Sequence, residues 1–205
     1  MAKEIIKRQE GIEELRDETR DTLSELRNET ELHVEKKKVK DISEKDYNDL
    51  CLREKLTDKQ LQQVVNFSNK NDRILNLWLT RITDNQAKIL SEAFRLNLNW
   101  LTSITNDQLE ILSKKEGHLG LDWLKYLTDA QVLLLSRIER LSLNWLKFLS
   151  NEQILLLLSW NVEILSLNWL EYISDTQAKL LSKVRILNIN ESILTPRQRE
   201  ILWRE

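Results

Sequence analysis

Residues 96–117 read LNLNWLTSITNDQLEILSKKEG, and versions of this stretch recur from Leu50 to the end of the sequence. The register is kept by a Thr or Ser that is followed three residues later by Gln. This pair occurs seven times, spaced by 21 to 26 residues, beginning at Thr57, Thr83, Thr105, Thr128, Ser150, Ser174 and Thr195. Seven occurrences in register predict a repeated structural unit, and residues 50–205 are called the repeat array below.

Each Thr/Ser…Gln pair has the pattern of a helix capping box. The hydroxyl of an N-cap residue accepts from the third backbone N–H of the helix, and a Gln at that third position reaches back to the N-cap N–H. Pro196 follows the last Thr and stands at the first helical position, where proline is tolerated. The pattern therefore predicts that a short helix begins at each copy, with apolar residues three and four positions after the Gln.

Between the predicted helices stands a short alternating segment with Leu at every second position. The segments begin at Leu75, Leu96, Leu119, Leu141, Leu165 and Leu187. Period-two alternation places these Leu side chains on one face of a strand and Asn, Ser or Gly on the other. One strand and one helix cannot bury their own apolar faces, but stacked copies can. The sequence thus predicts an α/β solenoid of about seven repeats with a parallel sheet.

With its L-x-x-L-x-L segments and repeat length, the array resembles leucine-rich repeat proteins, and most closely a short bacterial variety. The resemblance implies a right-handed solenoid whose strands line a binding surface. There is one departure, because Leu occupies the place of the family's buried Asn at Leu101, Leu124, Leu146 and Leu170. The asparagine ladder that satisfies turn carbonyls in that family is therefore predicted to be absent, and the sequence does not show what replaces it.

The resemblance implies that alternate strand positions form a candidate binding face. By that transfer the face comprises Arg95, Asn97, Asn99, His118, Asp122, Arg140, Asn144, Asn168 and Asn190. A second interpretation is that these polar side chains hydrogen-bond along the sheet and simply tolerate water, and both interpretations stay open.

Five tryptophans stand at equivalent positions, one per copy, at Trp78, Trp100, Trp123, Trp145 and Trp169. Copies stacked about 5 Å apart would bring the indoles into contact. We expect a structural aromatic ladder, and an aromatic binding strip is the alternative. Tyr126, Phe148 and Tyr172 form a second row in three central copies only, for which packing is favoured over a site.

Two domains are predicted. Residues 1–40 form a helical arm, and residues 41–205 form the solenoid domain that contains the repeat array. The arm has no Pro, is rich in Glu, Arg, Lys and Leu, and repeats an 11-residue pattern. The predicted self-association seam comprises Ile12, Leu15, Leu23, Leu26 and Val34, with Thr19 and Thr30 between them. Charged flanks favour a coiled-coil homo-oligomer, and the alternatives are folding back on the array or a solvated, partly frayed helix.

Composition argues against several functions. The formal net charge is −2, whereas nucleic-acid binders carry a basic excess. No apolar stretch reaches the length of a membrane span, and no signal sequence is recognised at the start. The single cysteine, Cys51, reads as a small apolar residue and suits a reducing, cytoplasmic location.

The sequence carries no catalytic or metal-binding motif. The two histidines are His33 in the arm and His118, which is predicted in a loop. We therefore predict no cofactor, no metal and no enzymatic activity. The expected function is protein–protein interaction through the array with self-association through the arm, and the alternative is a structural scaffold in which the array is a rigid spacer.

Overall fold

The computed structural model describes residues 40–115, 117–160 and 162–203. The chain divides into two units, Met1–Lys40 and Asp41–Glu205, and the second is described here. The predicted arm helix and its seam lie outside the described residues, except for Lys40, and stay predictions.

Strands and helices alternate along the second unit. It opens with α1 (Glu44–Cys51) and α2 (Asp58–Lys70). The elements that follow are β1 (Leu75–Asn76), α3 (Asp84–Leu90), β2 (Arg95–Asn97), α4 (Asn106–Leu112), β3 (His118–Gly120), α5 (Asp129–Leu135), β4 (Arg140–Ser142), α6 (Asn151–Leu157), β5 (Ile164–Leu167), α7 (Asp175–Leu181), β6 (Ile186–Ile189), a 3-10 turn (Glu191–Ile193) and α8 (Pro196–Leu202). The six strands pair in chain order, all parallel. The predicted α/β architecture of a parallel sheet alternating with helices, consistent with a solenoid-like repeat, is confirmed.

The capping boxes are present in all seven copies. At the centre of the array, Thr105 Oγ1 accepts from the backbone N of Gln108 at 3.2 Å. Gln108 Oε1 in turn accepts from the backbone N of Thr105, also at 3.2 Å. Each cap satisfies two backbone N–H groups that the helix itself leaves unpaired, so every seven-residue helix has a defined start.

The same glutamines also join neighbouring copies, which the sequence pattern did not reveal. While Oε1 holds its own cap, Nε2 donates to the carbonyl just before the cap of the preceding copy. The pairs are Gln86–Leu56 at 2.9 Å, Gln108–Ile82 at 2.9 Å, Gln131–Ile104 at 2.9 Å, Gln153–Leu127 at 3.1 Å, Gln177–Leu149 at 2.7 Å and Gln198–Ile173 at 2.7 Å. This glutamine ladder satisfies turn carbonyls where an asparagine ladder is absent.

The core lies between the sheet and the helices. Leu96 and Leu98 are fully buried. Leu101, which stands where leucine-rich repeat proteins carry an Asn, is fully buried as well. On the helix side the fully buried residues stand one and four positions after the Gln, as in Leu109 and Leu112. Residues three apart, such as these two, share one face of a helix. The predicted apolar residue three positions after the Gln packs at the edge of this face, where Ile89 is buried and Ile111 is partly buried against the core.

Helix α1 covers the first copy of the array. Tyr47 and Cys51 are buried, and the Tyr47 ring stacks on Phe67 with centroids 4.6 Å apart. Burial raises the pKa of the Cys51 thiol to about 11, so the thiol stays protonated at neutral pH and is a poor nucleophile. The interpretation of Cys51 as a small buried residue is confirmed.

Candidate interaction surface

The candidate binding face predicted from the sequence is called the strand face below. Its side chains stand in rows that are set by the register of the sheet. His118 is the register partner of Arg95 on one side and of Arg140 on the other, so the three residues stand in a row. His118 opens β3, so its predicted position in a loop is wrong. Arg95 Nη2 lies 3.6 Å from Asp72 Oδ1, and Arg140 Nε lies 3.2 Å from Glu139 Oε1. Both arginine side chains are about half exposed. Ion pairs this exposed add little to stability, so the two arginines remain accessible cations.

A second row forms a ladder of side-chain oxygens along the end of the sheet. Asn99 Oδ1 accepts from the backbone N of Asp122 at 3.4 Å. Asp122 Oδ1 accepts from Asn144 N at 3.1 Å, and Asn144 Oδ1 accepts from Asn168 N at 3.2 Å. These predicted binding residues therefore also hold the backbone of the next copy. Asn190 instead caps the 3-10 turn, where its Oδ1 accepts from Ser192 N at 3.0 Å.

Asn97 links three copies at the centre of the strand face. Its Nδ2 donates to Asn76 Oδ1 at 2.6 Å, and its Oδ1 lies 2.6 Å from Nε2 of His118. A carbonyl oxygen accepts only, so this contact places the ring proton of neutral His118 on Nε2. Gly120 lies beneath, and a Cβ there would meet the Oδ1 atoms of Asn97 and Asn99. The glycine thus makes room for both amides.

A buried lysine, Lys115, lies beneath the row that contains His118, and the sequence analysis did not identify it. Lys115 is only 7% exposed, and its Nζ donates to the carbonyls of Phe94 at 3.2 Å and His118 at 2.7 Å. Burial lowers its pKa to about 8. The pKa of His118 is also lowered, first by burial and then by the Lys115 charge. Its position in the repeat could have indicated this burial. Lys115 is the third residue after its helix, and the residues at the same position in other copies, Ala93, Ile138 and Val184, are apolar and buried.

The buried ammonium makes a pH-dependent contribution to stability. Between pH 8 and the ordinary lysine pKa, the unfolded chain binds more protons at this site than the folded chain, so the contribution of Lys115 to stability rises with pH. Replacing Lys115 with Met removes the rise. We expect the stability of K115M relative to wild type to fall by about 2 kcal/mol between pH 7 and pH 10. Urea unfolding of both proteins measures it. The raised pKa values of Tyr47 and Cys51 affect both proteins alike, and a pH-independent difference would contradict the prediction.

The five predicted indoles form one continuous stack beside the strand face. Successive ring centroids lie 5.0, 4.6, 5.0 and 4.9 Å apart from Trp78 to Trp169. Trp100 and Trp123 are partly buried, whereas Trp169 is 59% exposed. The inner rings Trp100 and Trp123 are thus covered by neighbours on both sides, and the rings at both ends, Trp78 and Trp169, reach solvent.

The second aromatic row does not pack into the core. Tyr126 is 74% exposed, Tyr172 is 62% exposed, and Phe148 touches Tyr172 edge-on with centroids 6.0 Å apart. The expectation that packing explains this row was wrong, because these residues lie outside the turn whose interior Leu124 and Leu146 fill. Trp145 and Trp169 also pair, with centroids 4.9 Å apart. These two tryptophans, together with Tyr126, Phe148 and Tyr172, are exposed in three consecutive copies and are called the exposed aromatic cluster below.

A second apolar patch lies on the helices and was also missed. Leu133 on α5 and Leu155 on α6 are 40% and 52% exposed, and Trp160 after α6 is 65% exposed. The signal was again positional. Both leucines stand two residues after the capping Gln, where α3, α4, α7 and α8 carry Lys or Glu.

Among residues 40–115, 117–160 and 162–203, no group of three or more His, Cys, Asp or Glu side chains is placed to hold a metal ion. In the same residues no helix has the length and apolar character needed to cross a membrane. No family model, curated protein or solved structure matches the chain.

Proposed function

We propose that the chain is a non-enzymatic protein–protein interaction module. Its array is a leucine-rich-repeat-like, right-handed solenoid, and its N-terminal helix mediates self-association in the cytoplasm. The repeat length, the single parallel strand per copy and the buried leucine rows support the solenoid class. Connections between parallel strands are right-handed in nearly all proteins, which supports the handedness.

The observation that carries this proposal is the exposed aromatic cluster of Tyr126, Trp145, Phe148, Trp169 and Tyr172. Several large exposed aromatic residues in neighbouring copies are uncommon in monomers and are typical of interaction sites. Aromatic rings supply most of the energy at such sites because they bury a large rigid area. The cluster adjoins the strand face, whose accessible arginines add polar contacts for a protein partner.

The arm acts in this proposal by multiplying weak contacts. Its Ile12, Leu15, Leu23, Leu26 and Val34 seam lies between charged flanks, which favours association of several copies. Several linked binding faces bind a multivalent partner more tightly than one face does, because later contacts form at high effective concentration.

The binding surface is tested by affinity capture with the full chain. The variant carries Tyr126→Ser, Phe148→Ser and Tyr172→Ser together, and the control carries Phe94→Ser, which removes an aromatic ring that is 62% exposed elsewhere. We expect proteins captured by the wild type to be retained by the control and depleted at least about fivefold by the triple variant. Equal capture by all three baits would contradict the proposed site.

The alternative function is a scaffold in which the array is a rigid spacer. It is favoured by the hydrogen-bonded ladder from Asn99 to Asn168, which stiffens the strand face and occupies its oxygens. The same capture experiment separates the two functions. A scaffold retains only other copies of the chain, whichever aromatic residues are changed.

A further inference from the structure

One outward position on each of six successive helices forms a row along the helical face of the array. Each residue stands two positions after the capping Gln and is exposed. The row consists of Lys88, Glu110, Leu133, Leu155, Lys179 and Glu200, one each from α3 to α8. It is called the helix row below, and its order is Lys, Glu, Leu, Leu, Lys, Glu.

The helix row is complementary to itself when its direction is reversed. A two-fold axis between α5 and α6, parallel to the helices, sets Leu133 against Leu155 of a second copy and Leu155 against its Leu133. The same rotation sets Glu110 against Lys179, so every contact occurs twice. Isologous dimer interfaces have this property, since residue i meets j and j meets i.

Trp160 and Arg137 extend the same patch at the C-terminal ends of these helices. The Arg137 guanidinium lies 5.6 Å from the centre of the Trp160 ring, and the ring stays largely exposed. Trp160 follows α6 and Arg137 follows α5. The two-fold axis therefore brings Trp160 of one copy towards Arg137 of the second copy, and Arg137 of the first towards Trp160 of the second. Trp and Arg are the residue types most enriched at the energetic centres of interfaces.

We propose that the helical face is a homodimer interface centred on Leu133 and Leu155. The charges on both sides of the leucines indicate that the partner is a second copy of this chain. In the reversed orientation, each charged residue of the row faces one of opposite sign. An axis running along the row would instead set Glu110 against Glu110 and Lys179 against Lys179, which like-charge repulsion disfavours. The interface uses neither the exposed aromatic cluster nor the arm, and so does not depend on the function proposed above.

Site-specific disulfide cross-linking of the full chain tests the interface whether or not the arm self-associates. Two singly substituted proteins, Leu133→Cys and Leu155→Cys, are mixed, allowed to exchange and oxidised. The native Cys51 is buried and does not compete. We expect the mixture to form a mixed 133–155 cross-link, mapped by mass spectrometry, in clear excess over the cross-links formed by either protein alone. A Ser103→Cys protein, substituted at an exposed residue that is not part of the helix row, measures random collisions.

Charge reversal adds a test that a nonspecific apolar contact would not pass. Glu110→Lys introduced into both proteins sets Lys against Lys and should lower the cross-linking yield about tenfold. Adding Lys179→Glu to the same chains restores opposite charges and should return the yield to the starting level. Cross-links of 133 to 133 and 155 to 155, yields equal to the Ser103→Cys background, or yields unaffected by charge reversal would each overturn the proposal.

Discussion

Replacing Gln108 with Glu is expected to lower the free energy of unfolding by about 2–3 kcal/mol. A glutamate at this position still accepts from the Thr105 N–H, so the capping box is kept. It has no N–H to donate to the Ile82 carbonyl, which lies in a buried contact 2.9 Å away, and it faces the Asp84 carboxylate 3.1 Å away. A buried carbonyl without a donor and a repulsive carboxylate pair both destabilise the fold.

The matched control for this substitution is Gln60→Glu in the first copy. Gln60 makes the same cap, accepting from Thr57 N at 3.0 Å, but no earlier copy precedes it in the array. We expect Q60E to change stability by no more than about 0.5 kcal/mol in urea unfolding. If Q60E and Q108E destabilise equally, the glutamines act through their caps alone and the ladder between copies contributes nothing.

Truncating Trp123 to Ala is expected to cost about 3 kcal/mol of stability. Trp123 is partly buried and stacks on two neighbours, with centroids 4.6 Å from Trp100 and 5.0 Å from Trp145. Its removal leaves a gap in the middle of the aromatic ladder. Thermal and urea unfolding of W123A measure the loss.

Trp169→Ala is the comparison that separates a structural ladder from a binding strip. Trp169 has one neighbour in the stack, Trp145, and is more than half exposed, so its loss should cost about 1 kcal/mol or less. An unchanged melting temperature in W123A would show that the ladder does not support the fold. Loss of partner capture in W169A with normal stability would instead assign the open end of the ladder to binding.

The folding unit itself was predictable because the interactions that define it are local. A cap joins residues three positions apart, as Thr105 and Gln108 do, and strand alternation has a period of two. Seven copies in register then repeat the same local information. The site was predicted less well, since whether a side chain such as Tyr126 is covered depends on neighbours in other copies. Tyr126 was expected to pack and is instead largely exposed.

The sequence by itself determined the capping boxes, the buried leucine rows and the order of strands and helices, because each follows from spacings within one copy. Only the tertiary structure decided that Gln108 also binds the Ile82 carbonyl, 26 positions earlier in the chain, and that the buried Lys115 binds the Phe94 carbonyl of the preceding copy. It alone brought Leu133 and Leu155 side by side on the helical face. Each of these contacts joins different copies or turns, and its partner is set by how the copies stack, which no single repeat encodes.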